Sequence, residues 1–90
     1  MPRKYPPLKL REVLAILRSL GFDEKSSVGS HHKYTRIVQG IQRTVTVDHS
    51  IDDFDPFLLK SMISQSGFSR EEFYCATKET ARKIGRKRRR

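Results

Sequence analysis

Cys75 is the one cysteine in this chain of 90 residues, and its solitude excludes an internal disulfide and any zinc site built from cysteines. No run of 18 apolar residues occurs, so no segment reads as a membrane-spanning helix. The opening Met1-Pro2-Arg3-Lys4-Tyr5-Pro6-Pro7 lacks the apolar core of a secretion signal, and the expected location is the cytoplasm, away from any membrane. Neither HExxH nor another strong ligand spacing is found, so neither metal nor cofactor is expected. Acidic residues are scarce as well: ten against nineteen basic ones, for a net charge of +9. A polyanion is the partner such a balance attracts.

That charge is unevenly placed. From Lys78 to Arg90 eight basic residues face Glu79 alone, a balance of +7, which leaves +2 for residues 1–77. The chain therefore divides into an extended leader over 1–7, rich in proline, a single domain over 8–77, and a basic, flexible tail over 78–90. A composition that is 36% hydrophobic and 32% charged suits a small core with a solvated surface.

Within the domain, Leu10, Val13, Leu14, Leu17 and Leu20 recur at helical spacing, with Arg11, Glu12 and Arg18 largely opposite, and Gly21 ends the segment. Phe22–Val28 runs as a strand into a turn at Gly29-Ser30. His31–Val38 follows as a second strand, Gln39-Gly40-Ile41-Gln42 as a hairpin loop, and Arg43–Val47 as a third strand with Val45 and Val47 on one face. Ser50–Asp55 reads as a loop. Asp55-Pro56 starts a second long helix that Gly67 stops, and Ser69 with Glu72 forms a capping box for a short third one. The sum is an α+β fold of two layers, α-β-β-β-α with a short extra C-terminal helix, in which the helices cover one sheet face and leave the other open.

Chemistry concentrates at Gly29-Ser30-His31-His32-Lys33-Tyr34, which holds two of the three histidines. Alternation along a strand turns His31, Lys33 and Thr35 one way and His32, Tyr34 and Arg36 the other. The Tyr34 ring suits the covered face, which assigns His31 and Lys33 to the open one. Divergent side chains cannot clamp one metal ion. A histidine can pass protons near neutrality, and a lysine two residues on can stabilise charge on a phosphate. These residues are compatible with metal-free RNA cleavage, in which a 2′-hydroxyl attacks the neighbouring phosphorus. They are equally compatible with a non-catalytic RNA-binding module whose His31 and Lys33 only touch phosphate or a 2′-hydroxyl.

Four stretches in order resemble the HicA family of toxins from bacterial toxin–antitoxin pairs. Leu10–Leu17 with Leu20-Gly21-Phe22 looks like that family's first helix. Gly29–Tyr34 is similar to its Gly-Ser-His-His segment, Val45-Thr46-Val47-Asp48-His49 to its last strand, and Leu59–Phe68 to its closing helix. The resemblance implies a double-stranded RNA-binding-domain-like fold and an mRNA interferase, a metal-independent RNA endonuclease with one catalytic histidine. By position that residue is His31. Ser30 and Lys33 would support it, and Lys9, Arg11, Lys25, Arg36 and Arg43 are candidate contacts to the RNA backbone. It also implies a HicB-type antitoxin protein as partner beside mRNA. Two departures stand out: residues continue well beyond Gly67, and Asp52–Phe57 is acidic where the family often carries Leu-Pro-Lys-Gly.

Overall fold

The first helix, α1 (Leu10–Ser19), forms where the apolar spacing predicts it, and buries Val13, Ile16 and Leu17 completely. Its first turn is closed by Glu12, whose carboxylate accepts a hydrogen bond from the Lys9 amide at 2.8 Å. Gly21, at φ +91°, lets the chain leave the helix in a left-handed turn. The computed structural model describes residues 5–85.

Three antiparallel strands follow, β2 (Asp23–Val28), β3 (His31–Val38) and β4 (Ile41–Asp48), in the order β2-β3-β4. The hairpin loop expected over 39–42 shrinks to two residues. Gln39 and Gly40 both have positive φ, 53° and 78°, as in the two-residue turn whose twist matches that of paired strands, and Ile41 already belongs to β4. This turn pairs Val38 with Ile41 and, counting back, Tyr34 with Val45, His32 with Val47 and His31 with Asp48. Val45 and Val47 point into the core and are fully buried. A bulge in β2 leaves Lys25 as the extra residue between Glu24, opposite Tyr34, and Ser26, opposite Lys33.

Helix α2 (Pro56–Ser66) begins at Asp55, whose side chain accepts from the Leu58 amide at 2.9 Å, and ends at Gly67 with φ +81°. It packs Leu59, Met62 and Ile63 against α1 and the inner sheet face. Gln65 reaches past the core and accepts from the Thr46 amide at 3.2 Å, which closes part of the free edge of β4. Helix α3 (Arg70–Tyr74) carries the expected capping box, Ser69 with Glu72.

Three further features depart from the reading of the sequence. A two-residue ladder joins β1 (Leu8–Lys9) to β5 (Asp53–Phe54), inside the segment read as a loop, and buries Leu8 against Phe54. Glu12 lies inside the protein at 3% exposure, not on the solvent side. The chain does not lose order at Lys78: helix α4 (Lys78–Lys83) is capped by Thr77, buries Thr80 and Ala81, and ties the Thr80 hydroxyl to the Tyr74 carbonyl at 2.6 Å. The last two departures have one cause. Lys83 Nζ lies 2.9 Å from the Glu12 carboxylate, so α4 supplies the cation that makes the buried acid tolerable. Burial opposes ionisation of Glu12, yet the Lys9 amide and the Lys83 ammonium together hold its carboxyl below the ordinary range. The leader and tail expected over 1–7 and 78–90 fall partly outside the described residues. Of the leader, Tyr5 packs on Tyr74, whose hydroxyl donates to the Pro6 carbonyl.

Removing the ammonium should therefore cost more than a surface pair does. Lys83→Met is expected to lower unfolding stability by about 1–3 kcal/mol, less than a fully enclosed pair because Lys83 is partly exposed. Urea unfolding measures this, and Glu12→Gln in the same chain should recover part of the loss. A change under about 0.5 kcal/mol would show that α4 is only loosely held.

Candidate functional site

Two adjacent histidines at the start of β3 have opposite surroundings. His31 follows the Gly29-Ser30 turn, which the Ser30 carbonyl fastens to the end of β4 by accepting from the His49 amide at 2.7 Å. Its side chain is 62% exposed on the open face. Directly across, Asp48 Oδ2 lies 3.7 Å from His31 Nε2. The Asp48 carboxylate is itself anchored: Oδ1 accepts from the Ser50 hydroxyl at 2.6 Å and the Ser50 amide at 2.9 Å. Those two donors, with the Ser30 hydroxyl, hold its pKa down to about 2. Lys33 sits two residues beyond His31 on the same face, roughly 7 Å along the strand, exposed and with no acidic partner among the described residues.

The other face is a connected set of rings. His32 is 22% exposed and stacks on His49 with centroids 3.6 Å apart and planes 11° from parallel. Its Nδ1 lies 3.0 Å from Glu24 Oε2. Tyr34 Oη and His49 Nε2 share a hydrogen bond at 2.9 Å, whose direction follows the tautomer. Burial, and then the neighbouring His32, push the His49 pKa below its ordinary value. Sequence separation had set His49 apart from the other two histidines; the antiparallel register brings it to His32.

The five basic residues put forward for RNA contact do not form one patch with His31. Lys9 pairs with Asp53 at 2.7 Å, and hydrogen bonding to that carboxylate raises its pKa. Arg11 lies 3.6 Å from Glu79. Arg36 and Arg43 are directly opposite each other, on the helix-covered side of the sheet. The Arg36 guanidinium lies over the Phe68 ring at 4.8 Å and beside Gly21 at the end of α1, while Arg43 lies against Gly67 at the end of α2. Each thus meets the negative end of a helix dipole, which offsets the repulsion of a like-charged cross-strand pair. Lys25 stands on the exposed bulge of β2. Of the cations on β3 and β4, Lys33 alone shares the face of His31.

Asp48 and His49 are the residues of this region that sequence reasoning passed over as partners of the histidines. The signal was present in Gln39-Gly40, since a two-residue turn there fixes Asp48 opposite His31 by counting. Among the described residues, no three His, Cys, Asp or Glu side chains gather as a metal-ligand set.

A three-stranded antiparallel sheet with helices on one face, in the order α-β-β-β-α, is consistent with a double-stranded RNA-binding-domain-like fold. The family model described as the HicA toxin of bacterial toxin–antitoxin systems matches residues 10–68, well over half of the chain. The chain belongs to the HicA toxin family, and so is the toxin of such a pair, with an antitoxin as its cognate partner. Comparison with curated proteins finds no match. Helices α3 and α4 lie outside the matched stretch.

The stacked imidazoles predict a pH dependence of stability. A histidine whose pKa is lowered by folding binds fewer protons in the folded state, so its contribution is intact above the unfolded value near 6.5 and is lost as pH falls through its lowered value. The charged or titratable neighbours facing it are His32, Tyr34, Glu24 and Asp48. The urea midpoint should fall from about pH 7.5 to about pH 5.5, and His49→Gln should flatten that slope. Asp48 adds a separate loss in strong acid, intact above 3.8 and gone below about 2.

Proposed function

We propose that this toxin is an mRNA interferase, an RNA endonuclease that needs no metal and uses His31 as its catalytic residue. The observation that carries the reading is the exposed His31 imidazole with Lys33 at the next position of the same open face. His31 takes the proton of a 2′-hydroxyl, the 2′-oxygen bonds to the adjacent phosphorus, and the bond to O5′ breaks. A cyclic phosphate and a free 5′-hydroxyl result, the leaving oxygen taking its proton from solvent. Lys33 faces the charge that builds on the phosphate oxygens. Ser30 acts through the turn: its carbonyl and hydroxyl hold His49 and Asp48. Of the five further cations, Lys25 keeps a role as a backbone contact, because Lys9 and Arg11 pair with acids and Arg36 and Arg43 serve helix ends.

A HicB-type antitoxin fits as the protein that silences this face. Val28, opposite His31 by register, and Ile37, farther along the same strand face, are 80% and 69% exposed and give a partner apolar surface to cover. No helix among the described residues is long and apolar enough to cross a membrane. With mRNA as its substrate, the toxin works in the cytoplasm.

The test is cleavage of a purified RNA in EDTA by the wild type and by His31→Ala, both shown to be folded. A loss of about 10²- to 10⁴-fold is expected from removing one acid–base group. Unchanged cleavage by the variant would reject His31. No cleavage by the pure wild type, together with retained RNA binding, would favour a non-catalytic RNA-binding module.

A further inference from the structure

We infer that Asp48 is a positioning residue for the His31 imidazole, holding it as the Nε2–H tautomer with Nδ1 free to take the proton from RNA. The inference rests on the reading of His31 as the proton-transfer group. Asp48 is directly opposite His31 in the β3–β4 ladder, and its side chain shares the open face. The two oxygens of its carboxylate do different work. Oδ1 accepts from the Ser50 amide and hydroxyl, the turn that an Asp or Asn makes with the residue two places on. Oδ2 is turned to His31 Nε2 at 3.7 Å. Asparagine would build the Oδ1 turn equally well, so the turn does not explain why a charge stands at Oδ2.

The anchoring gives that charge a fixed direction. Three donors, two from Ser50 and the Ser30 hydroxyl, hold the carboxylate ionised at any pH where RNA is handled. A fixed anion facing Nε2 favours a proton on that nitrogen and opposes a lone pair there. A movement of under about 1 Å brings the pair within hydrogen-bond reach, the kind of tightening that bound substrate often produces. When Nδ1 accepts the proton of the 2′-hydroxyl, the 2′-oxygen bonds to phosphorus and the P–O5′ bond breaks, the leaving oxygen being protonated by solvent. The positive charge left on the imidazole then lies beside Asp48. The same carboxylate repels the phosphate backbone, so its presence costs RNA affinity. An anion at an RNA site is expected to persist where it contributes to turnover more than it costs in binding.

Asp48→Asn separates these effects. Its amide oxygen can replace Oδ1 on Ser50, which places the amide N–H₂ opposite Nε2 and favours the other tautomer. In the full chain, kcat should fall about 10- to 100-fold while KM for a purified RNA stays the same or falls. The urea midpoint at neutral pH should fall only modestly, since asparagine keeps the turn and loses the charge that the Ser50 and Ser30 donors favour. Nitrogen-15 NMR of the imidazoles should show His31 protonated on Nε2 in the wild type and on Nδ1 in the variant. The wild-type spectrum tests the idea without any substitution, and a neutral His31 protonated on Nδ1 would overturn it. Unchanged kcat in Asp48→Asn, with His31→Ala inactive, would also overturn it while leaving the role of His31 intact. Full activity of His31→Ala would instead reject the underlying reading.

Discussion

The pairing of β3 with β4 is the constraint on which this molecule depends, and two residues set it. Gln39 and Gly40 close the hairpin with positive φ at both positions, which glycine adopts without steric cost and glutamine adopts only under the demand of the turn. Every cross-strand neighbour follows by counting. A slip of one residue would carry Val45 and Val47 out of the core and exchange the surroundings of His31 and His32. Core and site are therefore fixed by one register, and burial of the two valines enforces what the turn begins. Burying both side chains favours the native pairing by roughly 1.5–3 kcal/mol each, a large share of what a small domain has.

Around that register the charges have sorted by face. Acids on or near the covered side act structurally: Glu24 meets His32, and Glu12 meets Lys83. Arg36 and Arg43 look in sequence like an anion-binding pair. In the fold they sit beside Gly21 and Gly67, where two helices end and the partial negative charge of each helix terminus is near. The acidic stretch Asp52–Asp55 has comparable uses, since Asp53 pairs with Lys9 and Asp55 caps α2. A net charge of +9 thus says little about the site itself. Once these pairings are made, the local field at His31 comes from Lys33 and Asp48, one charge of each sign.

What could be read from the sequence follows from the range of the interactions involved. Helices α1 and α2, the cap at Asp55, the stop at Gly67 and the capping box at Ser69 depend on residues at most four apart or on single residue types, and the sequence shows them directly. Alternation separates His31 from His32 for the same reason. The β1–β5 ladder joins residues 8 and 54 through two-residue strands, too short for any period to appear. Glu12 reads as a surface residue because its partner lies 71 positions away, and Lys83 reads as tail because its partner is inside. Asp48 stands between these cases. It is distant from His31 in the chain but reachable by arithmetic from a two-residue turn, and reading Gln39–Gln42 as a four-residue loop hid it.

His31 and His32 show how little separates an exposed histidine from a packed one. Both follow the same turn, and both face an acid at salt-bridge distance, Asp48 for the first and Glu24 for the second. The difference lies in what covers the ring. His32 has one face closed by His49, and a second charge beside it would be repelled at 3.6 Å. His31 has solvent on that side, so a proton can arrive or leave and a phosphate can approach. Parity along one strand assigns these two environments. The chain needs an inward ring at His32 to complete the cluster with Tyr34 and His49, and the outward exposure of His31 follows from that requirement.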